Sequence, residues 1–599
     1  MIFPKPCSLI SIAFVAGLLT GCVESGKPPV YQADADTRLV TPQGPIIGSI
    51  DQYGAHQWLG IPFARAPVKD LRWRSPRPHP GWKQEREALA FGSPCAQYGS
   101  TFAGASGDQI GAPVGSEDCL FLNIWRPAQS SGKLPVMVWI HGGSNVHGHG
   151  GFYQGGNLAA TQEVLIVTVN YRLGPLGWFR HPSLAVSDNP LDGSGNYGTL
   201  DTIQALRWVQ DNVAAYGGDP NNVTVFGESA GGTNIYSLLI SPQAAGLFHK
   251  AIIQSGGLRF ASVTDATHFT DDTEAGHPSS SNEILLKLLQ FDGLAQDHAS
   301  AKAHLAQMSA PQIAQYLRSQ PTWKFYDRYL DDDGSFRDYP PRVIAEGSVV
   351  RAGDPLELLA DTSTHISVPL IIGTNRDESK LFMAFNDEHV QSVFGLPLYP
   401  RDRDHYDLRA KYGSLAWKRR AVDAPAAVLT QNHDNVFTYR WDWDEEGTRF
   451  GFINLSKLLG AAHGLEIPFV FGHWNLGPRS RLLFGDNGKQ ERLALSQAMM
   501  SYWGNFAHTS APQRGRAGTL PQWTHWHPAA GQHKMMVLDS SNDKGLRMSR
   551  IEVDRSYLVE ELSRELLGDQ NTHCRLFDEL FQNEQDIGWV EAQRARICG

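Results

Sequence analysis

The chain has 599 residues, of which 41% are hydrophobic and 19% charged, a balance that gives a large packed core and excludes a disordered chain. Its formal net charge of −10 argues against nucleic-acid binding, which needs a basic face.

The N-terminus reads as an export signal. Lys5 supplies a thin positive region, Leu9 to Leu19 is apolar and too short to cross a bilayer comfortably, and Leu19-Thr-Gly-Cys22 follows. Small residues followed at once by cysteine resemble a bacterial lipobox. Residues 1–21 are therefore expected to be a lipoprotein-type signal peptide, with Cys22 lipidated and the protein anchored facing the periplasm or cell exterior. A plain signal peptide and a secreted protein is the alternative. Residues 22–40 read as a tether, and 41–599 as one catalytic domain. Of six cysteines, Cys7 falls in the leader and Cys22 is at the lipidation site, and the four that remain form two close pairs, Cys95/Cys119 and Cys574/Cys598. In an oxidising compartment an even set reads as two disulfides, with local pairing the simplest of three connectivities. No Cys/His set suggests zinc.

From Thr41 to Trp73 the chain reads as short β-runs. Leu120, Leu122 and Ile124 alternate as in a half-buried strand. Leu134 to Ile140 and Val164 to Asn170 are near-continuous apolar runs, the pattern of strands buried on both faces. The period then changes: Leu200, Ile203, Leu206, Val209, Val213 and Tyr216 share a helical face, ended by Gly217-Gly-Asp-Pro220. Further strands are expected at 251–256, 368–373, 436–440 and 535–538. Strands alternating with helices predict an α/β fold with a large, mostly parallel sheet covered on both faces. The looser stretch from about Leu258 to Ile366 reads as an insertion over the sheet edge. Its aromatics, Trp323, Phe325, Tyr326 and Tyr329, either shape a pocket or pack a core. Arg337 and Arg342 either receive an acidic ester or are solvated.

The chemistry gathers around Val223-Thr-Val-Phe-Gly-Glu-Ser-Ala-Gly-Gly232. A β-run, Gly-x-Ser-x-Gly and an apolar helical run make a nucleophile elbow, with Ser229 on a sharp strand-to-helix turn. Gly227 and Gly231 flank it because neighbouring backbone leaves no room for a Cβ. Just after the strand ending at Ile140 stands His141-Gly-Gly-Ser-Asn145. The N–H groups of Gly143, Ser144 and Ala230 are candidate oxyanion-hole donors, each worth about 10²–10³ in rate. A serine needs a base, and the base an acid to orient it. Gly373-Thr-Asn-Arg-Asp-Glu378 puts Asp377 and Glu378 at a strand's C-terminal end, and His463-Gly-Leu-Glu-Ile-Pro-Phe469 puts a histidine in a loop. Serine, acid, histidine is the chain order this architecture requires.

These stretches, with Glu117-Asp-Cys-Leu-Phe-Leu-Asn123, Gly195-Asn-Tyr-Gly-Thr-Leu-Asp201 and Ala205-Leu-Arg-Trp-Val-Gln-Asp-Asn212, resemble the type-B carboxylesterases, the family that includes the cholinesterases. The match runs from about Thr41 to Asp539. The resemblance implies the α/β-hydrolase fold, Ser229 as nucleophile, Glu378 rather than Asp377 as acid, and His463 as base. It also implies that Cys95 pairs with Cys119 and that Ser255 supports the acid. It implies a serine carboxylic-ester hydrolase working through an acyl-enzyme on small-molecule esters, with no metal or cofactor. The competing readings are a non-catalytic binding protein on the same scaffold, and an amidase or acyl transferase with the same triad.

The departures are specific. Ser144 replaces a usual glycine or alanine, and Asn145 a usual aromatic, so the pair is expected to face the nucleophile, remove an apolar wall and carry specificity. His147-Gly-His149 is expected to be a glycine-loosened surface loop rather than a metal site. The Cys95–Cys119 loop lacks the tryptophan with which cholinesterases hold quaternary ammonium, which makes choline esters poor candidates. Ser379 stands where a glycine follows the acid.

Overall fold

A computed structural model describes residues 31–599 except 131, 186–187, 331–341, 394–395, 476–479, 487, 583 and 585. The leader and Cys22 lie outside the described residues. An eleven-stranded sheet forms the centre. Its strands in chain order are β1 (Ser49–Ile50), β2 (His56–Pro62), β3 (Phe121–Arg126), β4 (Leu134–Ile140), β5 (Leu165–Val169), β6 (Gly218–Glu228), β7 (Lys250–Gln254), β8 (Leu370–Asn375), β9 (Val436–Trp441), β10 (Met535–Leu538) and β11 (Arg547–Ser549). Across the sheet the order is 11-10-9-8-7-6-4-5-3-2-1. The run from β5 to β10 is parallel throughout. Antiparallel strands stand only towards the two edges.

The runs read as doubly buried strands are so: every residue of Leu134–Ile140 and of Leu165–Val169 is buried. Each buried Val, Leu or Ile contributes about 1.5–3 kcal/mol, and alternate side chains of β4 feed two separate cores. Val136, Val138 and Ile140 join one, Met137 and Trp139 the other. The first core is closed by α1 (Tyr197–Asn212), whose Leu200, Ile203, Leu206 and Val209 face the sheet. Gly217, at φ +86°, ends the following helical turn in the left-handed conformation that glycine tolerates. The second core is closed by the long helix Lys489–Thr509.

The inserted segment forms helices, including Ser281–Phe291 and Ala310–Ser319. Its aromatics pack a core of their own: Phe325, Tyr326 and Tyr329 are buried, with Phe325 edge-on to Trp73 at 4.9 Å between centroids. Packing, not a pocket, explains them. Arg337 lies outside the described residues, and Arg342 is exposed beside the bridge between Ala261 and Ile344.

The N-terminal boundary differs from expectation. Residues 34–40, read as tether, are already folded onto the body: Asp34 N–H donates to Gly48 O at 3.0 Å, and Thr37 is buried. At the other end, three helices (Arg555–Ser563, Gln570–Phe581, Ile587–Cys598) pack through Leu558, Leu562, Phe577 and Phe581 against Leu408 and Tyr412. Both disulfides are formed locally, Cys95–Cys119 and Cys574–Cys598.

Candidate active site

Ser229 joins β6 to α2 (Ala230–Leu239) with φ +55° and ψ −120°, a strained conformation for a residue with a side chain. The cause is the neighbouring strand. A Cβ on Gly231 would lie 2.0 Å from Ile140 O, and one on Gly227 2.5 Å from the same oxygen. The chain therefore turns over the end of β4 only where glycine stands on both sides. Ser229 N–H donates to Gln254 O at 2.9 Å, which ties the turn to β7.

Glu378 begins a short helix, Glu378–Ala384, directly beyond β8 and is fully buried. Ser255 Oγ and Thr374 Oγ1 each donate to its Oε1 at 2.6 Å, and Asn375 N–H does so at 2.7 Å. Its Oε2 lies 2.5 Å from His463 Nδ1. Burial alone would raise this carboxyl, but His463 and the three donors outweigh it and hold it below the usual carboxylate range. Asp377 is spent elsewhere, paired with Arg376 at 2.7 Å and accepting from Ala461 N–H at 3.1 Å.

His463 is buried in its loop between two carboxylates. Its Nδ1 faces Glu378, and its Nε2 lies 3.2 Å from Oε1 of Glu228, the residue before Ser229. Burial pulls the imidazolium down, but Glu228 and Glu378 more than offset it and carry it up to about 9. Burial in turn pushes the Glu228 carboxyl up, so Glu228 and His463 titrate as a pair. Behind them Glu466 is fully buried, accepting from Asn375 Nδ2 at 2.6 Å and Gln254 Nε2 at 3.1 Å. Phe382 and Trp417 lie within 5.2 and 5.0 Å of the His463 ring and stack on each other, with Phe382 half-exposed. Sequence reasoning missed Glu228, Glu466, Phe382 and Trp417. Glu228 occupies a free position of Gly-x-Ser-x-Gly, and the aromatics sit on helices whose facing the sequence does not mark.

The loop after β4 makes a tight turn. Val146 and His147 N–H both donate to Gly143 O, and Gly143, Ser144 and Asn145 all have positive φ, +98°, +56° and +61°. Gly143 is obligatory, because a Cβ there would lie 2.1 Å from His147 O. Ser144 is exposed. Asn145, expected to face the nucleophile and remove an apolar wall, has its side chain engaged by α2 instead. It is buried, and its amide faces Asn234 on α2. The loop of His147 and His149 is held rather than loose: both histidines are half-buried, with their imidazoles pushed down to about 4 by burial, and Gln97 clamps Gly148 between them through both N–H and O. Among the described residues, groups with metal-ligand spacing occur at Asp271, Glu283 and His298, where Lys302 already pairs with Asp271 at 2.6 Å. Ser379 packs its hydroxyl side against Gly413, its N–H donating to Ser414 Oγ at 3.2 Å.

A buried acid, an imidazole held by it, and a serine on a strained turn suit acyl transfer. The comparisons with known proteins agree. The model of the carboxylesterase family matches residues 35–396 and 400–555. Para-nitrobenzyl esterase of Bacillus subtilis (strain 168) is 33% identical over 525 residues, covering 84% of this chain and 95% of its own. Fumonisin B1 esterase of Sphingopyxis macrogoltabida is also 33% identical over 525 residues, covering 83% and 86%. Among solved structures, a PNB esterase superposes with a TM-score of 0.62 at 28% identity, covering 88% of this chain and 100% of its own. The chain belongs to the carboxylesterase family: it has the α/β-hydrolase fold and is a carboxylic ester hydrolase.

Proposed function

We propose that the protein hydrolyses small-molecule carboxylic esters through a Ser229–His463–Glu378 triad and an acyl-enzyme. The observation that carries this reading is the buried Glu378, which has three donors on one oxygen and the His463 ring on the other. That arrangement fixes the tautomer with the proton on Nδ1 and leaves Nε2 as the base. Ser229 Oγ attacks the ester carbonyl while Nε2 takes its proton. The N–H groups of Gly143, Ser144 and Ala230 hold the oxyanion, and the imidazolium then protonates the leaving alkoxide. Water repeats the sequence on the acyl-enzyme and restores Ser229. The names of the relatives, a para-nitrobenzyl esterase and a fumonisin B1 esterase, support ester substrates without choosing among them. The two disulfides support an exported protein, and the motif at Cys22 supports a lipid anchor.

Ser229→Ala tests the reading. Hydrolysis of p-nitrophenyl acetate and butyrate should fall to the uncatalysed rate within about a few thousandfold, with melting temperature unchanged. Retention of wild-type turnover sinks it.

A further inference from the structure

The oxyanion donors come from two segments far apart in sequence, the turn after β4 and the first residue of α2. Their spacing must hold to a fraction of an ångström, because donors are useful only where the oxyanion forms. Backbone strain acts against this: three successive residues of the turn, Gly143, Ser144 and Asn145, are left-handed.

Asn145 lies at the point where the turn meets the helix. Its Nδ2 donates to Asn234 Oδ1 at 3.2 Å, and Asn234 Nδ2 donates back to Asn145 Oδ1 at 3.0 Å. The two amides thus close a reciprocal ring, and both side chains are buried, at 8% and 2% exposure. Asn234 stands one helical turn beyond Ala230, on a face whose side chains lean back towards the helix N-terminus. Two more bonds fix Asn145 from behind: Gly174 N–H donates to its backbone O at 2.7 Å, and Tyr171 Oη lies 3.3 Å from its Oδ1 while donating to His141 O at 2.6 Å. Asparagine also tolerates positive φ better than most residues, so one side chain serves the turn's backbone and the tie together.

We infer that Asn145 and Asn234 are positioning residues that hold the Gly143–Ser144 donors at a fixed distance from the Ala230 donor through their paired amides. The inference rests on the proposed oxyanion hole. The pair touches no substrate and acts through the backbone it holds. It replaces the specificity role expected of Asn145 with one in transition-state stabilisation.

The test uses the full chain with Asn145→Gly, which keeps the left-handed backbone and deletes the amide, Asn234→Ala, and the double variant. Each single change should lower kcat for p-nitrophenyl butyrate roughly 10- to 100-fold, the scale of an ångström misplacement, with KM within about threefold. Affinity for an aryl trifluoromethyl ketone, whose serine adduct needs the oxyanion donors, should fall by the same factor. The double variant should be no worse than the more severe single, because the amides act as one unit. The inference is overturned if kcat and ketone affinity stay within about twofold of wild type while only the melting temperature falls, as a merely structural bridge would give. Should these variants fail to fold, Asn234→Asp keeps the shape and loses one donor, and full kcat there overturns the inference equally. Failure of the underlying reading is separate: Ser229→Ala would remain active and wild-type enzyme would form no ketone adduct.

Discussion

At Ser229, Gly227 and Gly231 the sequence speaks directly, because a clash of backbone with Cβ has one residue as its solution. For the acid of the proposed triad, position alone left Asp377 and Glu378 open and the family resemblance pointed to Glu378; in the structure Asp377 is satisfied by Arg376 while Glu378 reaches His463. Glu228 was not legible, since its role comes from a loop more than two hundred positions away. Its contact has a measurable consequence. His463 must be neutral to act as base, and its imidazolium is held up at about 9 by Glu228 and Glu378 against burial. The kcat/KM profile, which reports the free enzyme, should therefore keep rising above pH 7 rather than level off near the ordinary histidine value. Glu228→Gln removes the first of the carboxylates that hold the imidazolium up and leaves Glu378, with Glu466 behind it, so the rising limb should move to lower pH by about 1 to 3 units. A stopped-flow profile from pH 5 to 10 on both proteins checks this; coincident limbs would show that Glu228 does not feel the proton on His463.

At the scale of elements, periodicity located the strands and α1 because their burial is continuous or one-sided. It failed where a segment buries polar groups in partners of its own. The turn carrying His147 and His149 reads as glycine-rich surface, yet Gln97 fills its hydrogen-bonding needs from another loop. The C-terminal helices pose the opposite case: they are regular in sequence but lie beyond the match to the family model, which ends at residue 555. They pack on the helix Arg403–Lys418, whose Trp417 touches His463, and Arg409 pairs with Glu579 across the contact at 2.9 Å. The Cys574–Cys598 bond closes a loop across two of them. For a separation of 24 residues, its removal should cost this unit about 3 kcal/mol. In Cys574→Ser/Cys598→Ser, hydrogen exchange should rise across residues 555–599, while kcat at 25 °C stays within about twofold because the triad is held by the sheet. Loss of activity in step with exchange would mean that these helices hold the His463 environment in place.

For the whole molecule, the parallel centre of the sheet explains why the site was so far legible. Ser229, Glu378 and the oxyanion turn all lie beyond C-terminal ends of neighbouring parallel strands, where connections leave the sheet and converge. Chain order thus becomes spatial proximity. The proposed attachment of this body to a membrane depends instead on the segment ahead of it, and the folded boundary sharpens that proposal. Tyr31 already packs, half-buried, against the second core, so the span from a lipidated Cys22 is residues 23–30, eight residues, rather than a tether reaching residue 40. Fully extended it reaches at most about 30 Å, about half the roughly 60 Å diameter of a domain this size, which would keep the esterase body beside the bilayer surface. Full-length protein produced in a bacterium should incorporate labelled palmitate and sediment with membranes, and Cys22→Ser should do neither. A chain exported with a cleavable leader and starting at Tyr31 should be soluble, with the same kcat/KM and melting temperature as detergent-extracted full-length enzyme. Palmitate-free full-length protein in the soluble fraction would rule out the anchor. A lower melting temperature for the shortened chain would place part of the fold's stability ahead of Tyr31.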